Sequence, residues 1–293
     1  MQLFAGMTES VETKLGFVAE RAKRDKNATF DNLMHLINES SLKDSYRQLR
    51  KECAVGVDGT SWEEYGNGLD ENIKGLVERI RRMGYRPQPV RRVYIPKDNG
   101  TKRPIGIPSV EDKIVQKAMS RVMEAIYEQD FHDSSYGFRA GKSCHQALKR
   151  INDLIMTRPI NHVMEADIKG FFDNVEHAKL IGWLRIRIRD EQFVRYVVRF
   201  LKSGYMEQSA FKKTECGTPQ GGNISPMIAN MFLHSVVDEW LEKEVKPRMK
   251  GQCHVVRYCD DFVILVQYKE EAAMLLAGIK QRLSDNGLAT NDE

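Results

Sequence analysis

Two adjacent carboxylates set between two short apolar runs constrain this chain more than any other feature. His254-Val255-Val256-Arg257-Tyr258 and Phe262-Val263-Ile264-Leu265-Val266 flank Cys259-Asp260-Asp261. Both runs are rich in β-branched residues and too short for a helix of typical length, so each reads as a buried strand. Cys259-Asp260-Asp261 then reads as the tight turn of a hairpin. Two neighbouring carboxylates repel, which raises the cost of ionising both. Two readings fit such a pair. It is a turn that shows both carboxylates to water, or it holds a divalent cation that neutralises them. The rest of the chain has to supply the partners that the second reading needs.

The 293 residues suffice for one large domain or two intimate ones, and 41% hydrophobic residues suffice for a core. Net charge is only +4, but it is unevenly spread: Arg79 to Arg103 holds nine basic residues against one acid, Asp98. No apolar run reaches membrane-spanning length and the N-terminus lacks a signal-peptide core, so no membrane partner and a cytoplasmic setting are expected. Five scattered cysteines without a Cys-x-x-Cys indicate neither a disulfide framework nor a zinc site. The seven histidines show no His-x-x-x-His spacing.

Helical periodicity dominates the N-terminal region, with a break near Asn38-Glu39-Ser40-Ser41 and Ser41 as the expected cap of the next helix. Leu69, Ile73, Leu76 and Ile80 give a further helix one apolar face, with Gly84 as its stop. Val93-Tyr94-Ile95-Pro96 and Pro104-Ile105-Gly106-Ile107-Pro108 around Asp98-Asn99-Gly100 make a hairpin. Its prolines suggest a sheet edge. Its basic tip is either a blunted edge or a finger for phosphate. Ser109 caps a helix, and Ser135-Tyr136-Gly137-Phe138-Arg139-Ala140-Gly141-Lys142-Ser143 is a loop of interleaved aromatics and cations. A strand over residues 160–167, helices over 176–189 and 190–203, a strand at Lys212-Lys213, a helix over 226–244 and a helix over 269–286 follow. The second of these helices carries Arg195, Arg199 and Lys202 on one face. This order fits a split β-α-β arrangement with an antiparallel sheet and helices on one face. In that topology Asp167 ends a strand beside the hairpin. Three converging carboxylates would be tolerable with two metal ions about 3.5–4 Å apart, which is a phosphoryl-transfer site.

The motifs resemble those of group II intron-encoded reverse transcriptases with maturase activity. Asp167-Ile168-Lys169-Gly170-Phe171-Phe172-Asp173, Thr218-Pro219-Gln220-Gly221-Gly222-Asn223-Ile224-Ser225-Pro226 and Tyr258-Cys259-Asp260-Asp261 are similar to the family's catalytic motifs, in its order. Tyr94-Ile95-Pro96-Lys97, Lys102 to Pro108 and Ser135 to Arg139 match as well. The resemblance spans about Gly56 to Leu288 and departs from the family at Cys259, where Ala is usual.

The resemblance implies an α+β right-hand fold. An N-terminal helical extension would take residues 1–60, mostly helical fingers 61–159, and an antiparallel palm 160–293 that stops before its last strand and the thumb. It implies RNA-directed DNA synthesis with two Mg²⁺ ions, held by Asp167, Asp260, Asp261 and the Ile168 carbonyl. Lys97 and Arg103 would bind the triphosphate. Lys169, Gly170, Phe171, Phe172 and Gln220 would line the nucleotide, with Phe172 excluding a 2′-hydroxyl by bulk. By residue type alone Phe172 also fits a core aromatic. Tyr258 would pack at the primer end, and Arg139 and Lys142 would touch the template. The implied partners are intron RNA, a DNA primer or target and deoxynucleoside triphosphates, within a bacterial, nucleoid-associated ribonucleoprotein. A shortened palm would favour a homodimer. An RNA-dependent RNA polymerase and a splicing factor that binds RNA without polymerising are the competing readings.

Overall fold

A computed structural model of the protein describes residues 10–96, 100, 102–218 and 221–290. In chain order, α1 (Val11–Arg24), α2 (Glu39–Arg47), α3 (Trp62–Gly66), α4 (Leu69–Arg81), β1 (Val90–Pro96), β2 (Lys102–Ile107) and α5 (Val110–Tyr127) come first. Then follow α6 (Cys144–Thr157), β3 (His162–Ala166), α7 (Phe171–Asn174), α8 (His177–Leu184), α9 (Glu191–Leu201), β4 (Tyr205–Glu207) and β5 (Ala210–Lys212). Helix α10 (Ser225–Leu233), β6 (Cys253–Tyr258), β7 (Asp261–Val266) and α11 (Lys269–Asp285) complete the set. The protein is α+β and divides into two compact units.

The first unit takes residues 1–130, 186–213 and 221–224. It departs from the consecutive segments 1–60, 61–159 and 160–293, because residues 186–213 return to it. The return has a local cause. Helix α8 ends at Leu184 and does not continue to Arg189. A turn over residues 185–187 follows, and Ile188 then pairs with Phe30, whose N–H donates to the Arg187 carbonyl (2.8 Å) and whose carbonyl accepts from Arg189 (2.7 Å). Asp190 then caps α9 and also accepts from the Leu33 and Met34 N–H groups.

Helix α5 is the unit's axis, with Ile114, Met119, Met123 and Ile126 fully buried. Ser109 caps it as expected, accepting from the Asp112 N–H. Helix α2 starts one turn earlier than Ser41 suggested: Asn38 is its cap, and Ser41 closes a reciprocal capping box. At the end of α4 the left-handed residue is Met83 (φ 55°), one position before Gly84. The four-stranded sheet runs β2-β1-β4-β5. Only half of the basic hairpin is therefore an edge. Strand β2, with Pro104, is outermost, while β1 also pairs in parallel with β4 through Val90–Tyr205 and Arg91–Met206. The hairpin's tip at Asp98 and Asn99 lies outside the described residues.

The second unit takes residues 131–185, 214–220 and 225–293. Its three-stranded antiparallel sheet is ordered β3-β7-β6. Helices cover both faces, not one. Tyr136 and, from α6, Ala147 and Leu154 pack on Val256 and Leu265. The alternate residue Arg257 meets Asp238, from the helical run that continues α10, on the opposite face. A sheet covered twice explains why β6 and β7 read as near-continuous apolar runs. Helix α6 went unanticipated. Ser143 caps it, but Ala147 and Leu154 are its only fully buried side chains, so its apolar stripe is thin.

Candidate active site

The opening hairpin is as short as a hairpin can be. Tyr258 pairs with Asp261, so only Cys259 and Asp260 form the turn, and Asp261 is the first residue of β7. Cys259 sits at φ 61°, the left-handed region that such tight turns need at a central residue and that glycine usually fills. A bulky or β-branched residue would be strained there. The thiol is half-buried, and burial, then the Asp260 charge, push its pKa up to about 12. It is a neutral small side chain, not a nucleophile.

The register brings the first carboxylate alongside. Ala166 pairs with Phe262, so Asp167 and Asp261 are the next residues across β3 and β7. Asp167, Asp260 and Asp261 thus meet at one end of the sheet. Asp167 and Asp261 are exposed and Asp260 is half-buried. Among the described residues their carboxylate oxygens do not close to within 4.8 Å of one another. Ile168 is buried, and its bridge to Thr290 is made by the Lys169 N–H donating to the Ala289 carbonyl (2.8 Å). That bond does not engage the Ile168 carbonyl. Three carboxylates and a carbonyl form an all-oxygen donor set, which suits a hard cation such as Mg²⁺.

Behind the turn lies a network that the sequence did not reveal. Arg257 is fully buried, as is Asp238, and the pair is bidentate: Nε to Oδ1 at 2.9 Å and Nη2 to Oδ2 at 2.6 Å. Arg257 Nη1 also donates to Asn230 Oδ1 (3.0 Å) and to the Cys259 carbonyl (2.9 Å). Asn230 Nδ2 donates in turn to the Gly137 carbonyl (2.7 Å). Gly137 packs so closely on Cys259 that a Cβ there would collide with its backbone nitrogen and Sγ. The Tyr136 N–H donates to the Arg257 carbonyl, and the Arg257 N–H to the Ser134 carbonyl, both at 2.8 Å. The turn is therefore fixed from its outer edge by Ser134–Gly137 and from beneath by a charged side chain.

The segment after Asp167 is fixed just as locally. Gly170 adopts φ 54° and opens the single turn of α7, and Asn174 Nδ2 donates to the carbonyls of Lys169 and Gly170. Lys169 and Gly170 are exposed. Phe171 is a core residue, packed near Phe232, so its side chain cannot line a nucleotide as expected. Phe172 is half-buried, edge-on to Phe171, and its carbonyl accepts from the Thr218 N–H (2.6 Å). Gly217 (φ 82°) lies directly against that carbonyl, where a Cβ would come to 2.5 Å.

The other sequence candidates divide. Tyr258 is exposed beside the turn. Arg139 is directed inward: it donates to the His132 (2.6 Å) and Ser135 (2.8 Å) carbonyls and lies over the Phe131 ring, so it shapes its loop. Lys142 pairs with Asp133 at 3.0 Å. Within the first unit, Arg103 is exposed on β2. Lys97 and Gln220 lie outside the described residues. Arg91 and Arg92 are drawn into the first unit, on the Val55 carbonyl and the Tyr205 ring, whereas Arg81, Arg82, Arg86, Lys102 and Arg103 stay exposed. No helix among the described residues is long and apolar enough to cross a membrane.

Comparison with known proteins converges on one family. Residues 95–293 match the model described as reverse transcriptase (RNA-dependent DNA polymerase). The chain is 36% identical over 235 residues to the group II intron-encoded protein LtrA of Lactococcus lactis subsp. cremoris, covering 78% of this chain and 39% of that protein. It is 35% identical over 268 residues to protein YkfC of Escherichia coli K12, covering 78% of this chain and 70% of that one. An uncharacterized 91 kDa protein in the cob intron of Schizosaccharomyces pombe is 33% identical over 241 residues, with 81% and 30% covered. The chain thus spans well under half the length of two of these relatives.

Proposed function

Since the chain belongs to the reverse transcriptase (RNA-dependent DNA polymerase) family, we propose that it supplies the nucleotidyl-transfer centre of a group II intron reverse transcriptase that also serves as a maturase. The observation that carries this reading is the β3–β7 register, which sets Asp167 across from Asp261 beside the Asp260 turn. Asp167, Asp260, Asp261 and the Ile168 carbonyl would hold two Mg²⁺ ions. When bound, such ions lower the pKa of an attacking hydroxyl and neutralise a triphosphate.

The chain's own groups do the rest by position. Tyr258, which is exposed, would pack against a primer end. Phe172, half-buried on the turn of α7, presents bulk where a ribose 2′-hydroxyl would enter, which favours deoxynucleotides over the substrates of an RNA polymerase. Lys169 and Gly170 offer an exposed cation and close backbone approach. Arg103, with Lys97, is suited to phosphate through charge-assisted hydrogen bonds. Gln220 is assigned to the nucleotide by family resemblance. Lys142 is the template-contacting cation of its loop, with Arg139 bracing that loop. The template is intron RNA, the primer DNA, and the substrates deoxynucleoside triphosphates.

The test is primer extension on an RNA template with Mg²⁺, comparing the protein with Asp261→Asn and Asp167→Asn. Losing a group that merely orients a ligand costs up to about a hundredfold, so losing a ligand itself should cost more. Unchanged extension in both variants removes the assignment. The second reading, RNA binding without synthesis, is favoured by the exposed Arg81, Arg82 and Arg86. It predicts salt-sensitive intron RNA binding that Asp261→Asn leaves intact.

A further inference from the structure

His132, His234 and Glu239 bring their ligand atoms within 4.8 Å of one another in the second unit. The histidines are 102 positions apart, so no local spacing announces them. His234 and Glu239 are five positions apart on the helical run that follows α10. At 3.6 residues per turn, positions five apart point about 140° from each other. Here the helix widens over His234–Asp238, with the Glu239 N–H donating to the His234 carbonyl, and the two side chains share a side. Such widened turns are frequent at functional sites.

The distances suit a metal. His132 Nε2 stands 2.9 Å, and His234 Nε2 3.9 Å, from Glu239 Oε1. Ligands about 2.0–2.1 Å from a tetrahedral zinc lie about 3.3–3.4 Å from one another, between those two values. Lys243 pairs with the other carboxylate oxygen of Glu239, leaving Oε1 to face both rings. A His–Glu hydrogen bond alone explains His132 and Glu239. It does not explain His234, which is 6% exposed, has a buried Nδ1 with no hydrogen-bond partner, and aims Nε2 at the same oxygen. That Nδ1 is 3.8 Å from Asp238 Oδ2, which Arg257 holds in place. A carboxylate behind a ligating imidazole is the usual way to orient it.

We propose that His132, His234 and Glu239 form a site for a zinc-class transition metal, distinct from the carboxylate turn. Two imidazoles and one carboxylate select such a metal over Mg²⁺. Three protein ligands leave a fourth position to water. Binding displaces the proton shared by His132 Nε2 and Glu239 Oε1, which leaves to solvent. The metal ties the segment that begins at Phe131, and that goes on to brace Arg257, to the helix carrying Asp238 and Glu239. It stabilises the unit that bears the turn.

The experiment is calorimetric titration of the metal-free protein with Zn²⁺, after alkylation of its thiols and with Mg²⁺ in excess to occupy hard oxygen sites. One Zn²⁺ per chain is expected, with a rise in Tm on binding. His132→Ala and Glu239→Gln should each bind at least about tenfold more weakly, since even outer partners of a metal ligand are worth 10–100-fold. Unaltered affinity in both variants, or no stoichiometric binding, overturns the site and leaves a hydrogen-bonded cluster. Should either variant fail to fold, Co²⁺ bound to the alkylated protein decides. A visible spectrum of nitrogen and oxygen ligation supports the site. Absence of that spectrum overturns it.

Discussion

Asp112 in the first unit and Asp238 in the second are both removed from water, yet their carboxyl groups respond in opposite directions. Asp112 has neutral partners: the Tyr85 hydroxyl donates to Oδ1 and the Gln88 N–H donates to Oδ2. Burial outweighs these bonds and pushes its pKa up to about 6. At Asp238 burial acts in the same upward direction, but neighbouring charge, that of Arg257 first, more than reverses it, and the pKa falls below the ordinary value. Hydrogen bonds from neutral donors hold a carboxylate in place, whereas an opposite charge keeps it ionised as well. The difference matters because Arg257 also holds the Cys259 carbonyl. The fixed charge pair of the second unit sits under the candidate active site, and the titrating aspartate of the first unit sits under a helix start.

Breaking the charge pair should have the largest effect. Arg257→Ala leaves Asp238 buried and uncompensated, a loss of about 3–5 kcal/mol, read by urea unfolding. Arg257→Met with Asp238→Leu sharpens the point. Apolar replacement of both partners should recover most of the stability. Primer extension should stay low, because the Asn230 and Cys259 contacts are not restored. Recovery of both would show that the pair serves stability alone.

The Asp112 contribution is smaller and depends on pH. Its folded pKa of about 6 lies above the ordinary 3.8, so the folded state holds the proton more tightly. Its contribution to stability is full below pH 3.8 and is lost as pH rises through about 6. A shift of this size corresponds to about 3 kcal/mol. Asp112→Asn imitates the protonated form, so its stability relative to the unaltered protein should rise by about that amount across this window. A constant difference between the two proteins would show that Asp112 does not titrate there.

The two aspartates also show what was legible in the sequence. Ser109 followed by Asp112 announced a helix start, and the structure keeps it, because a cap is a contact over three residues. The hairpin and the strand ending at Asp167 were legible through apolar runs and turn chemistry. The family motifs gave their order. Arg257 was not legible: nothing in Val255-Val256-Arg257-Tyr258 names a partner for its charge. Its burial depends on Asp238, which arrives from another element. Helix α8 was expected to run to Arg189, since periodicity carries no information about the pairing with Phe30 that ends it. The histidine cluster escaped for the same reason, being assembled by tertiary packing. Local chemistry was readable, and pairings between distant charges were not.

A subtler comparison uses two glycines, each resting on one of these networks. Gly56 lies against Ser109, the cap above Asp112, where a Cβ would come within 2.6 Å of the Ser109 backbone N and Cα. Gly137 lies against the backbone of Cys259, above Arg257. Neither has a positive φ, so the restriction at both is space and not conformation. Gly56→Ala and Gly137→Ala should each cost about 1–3 kcal/mol, as overpacking does. Their effects on primer extension per folded molecule should part. Gly56→Ala disturbs a helix start and should leave extension unchanged. Gly137→Ala displaces the turn that carries Asp260, and misplacement of about 1 Å at a reacting centre can cost a hundredfold. Equal extension by the two variants would mean that the turn tolerates displacement, and that the buried pair beneath it is not what sets the geometry of the carboxylates.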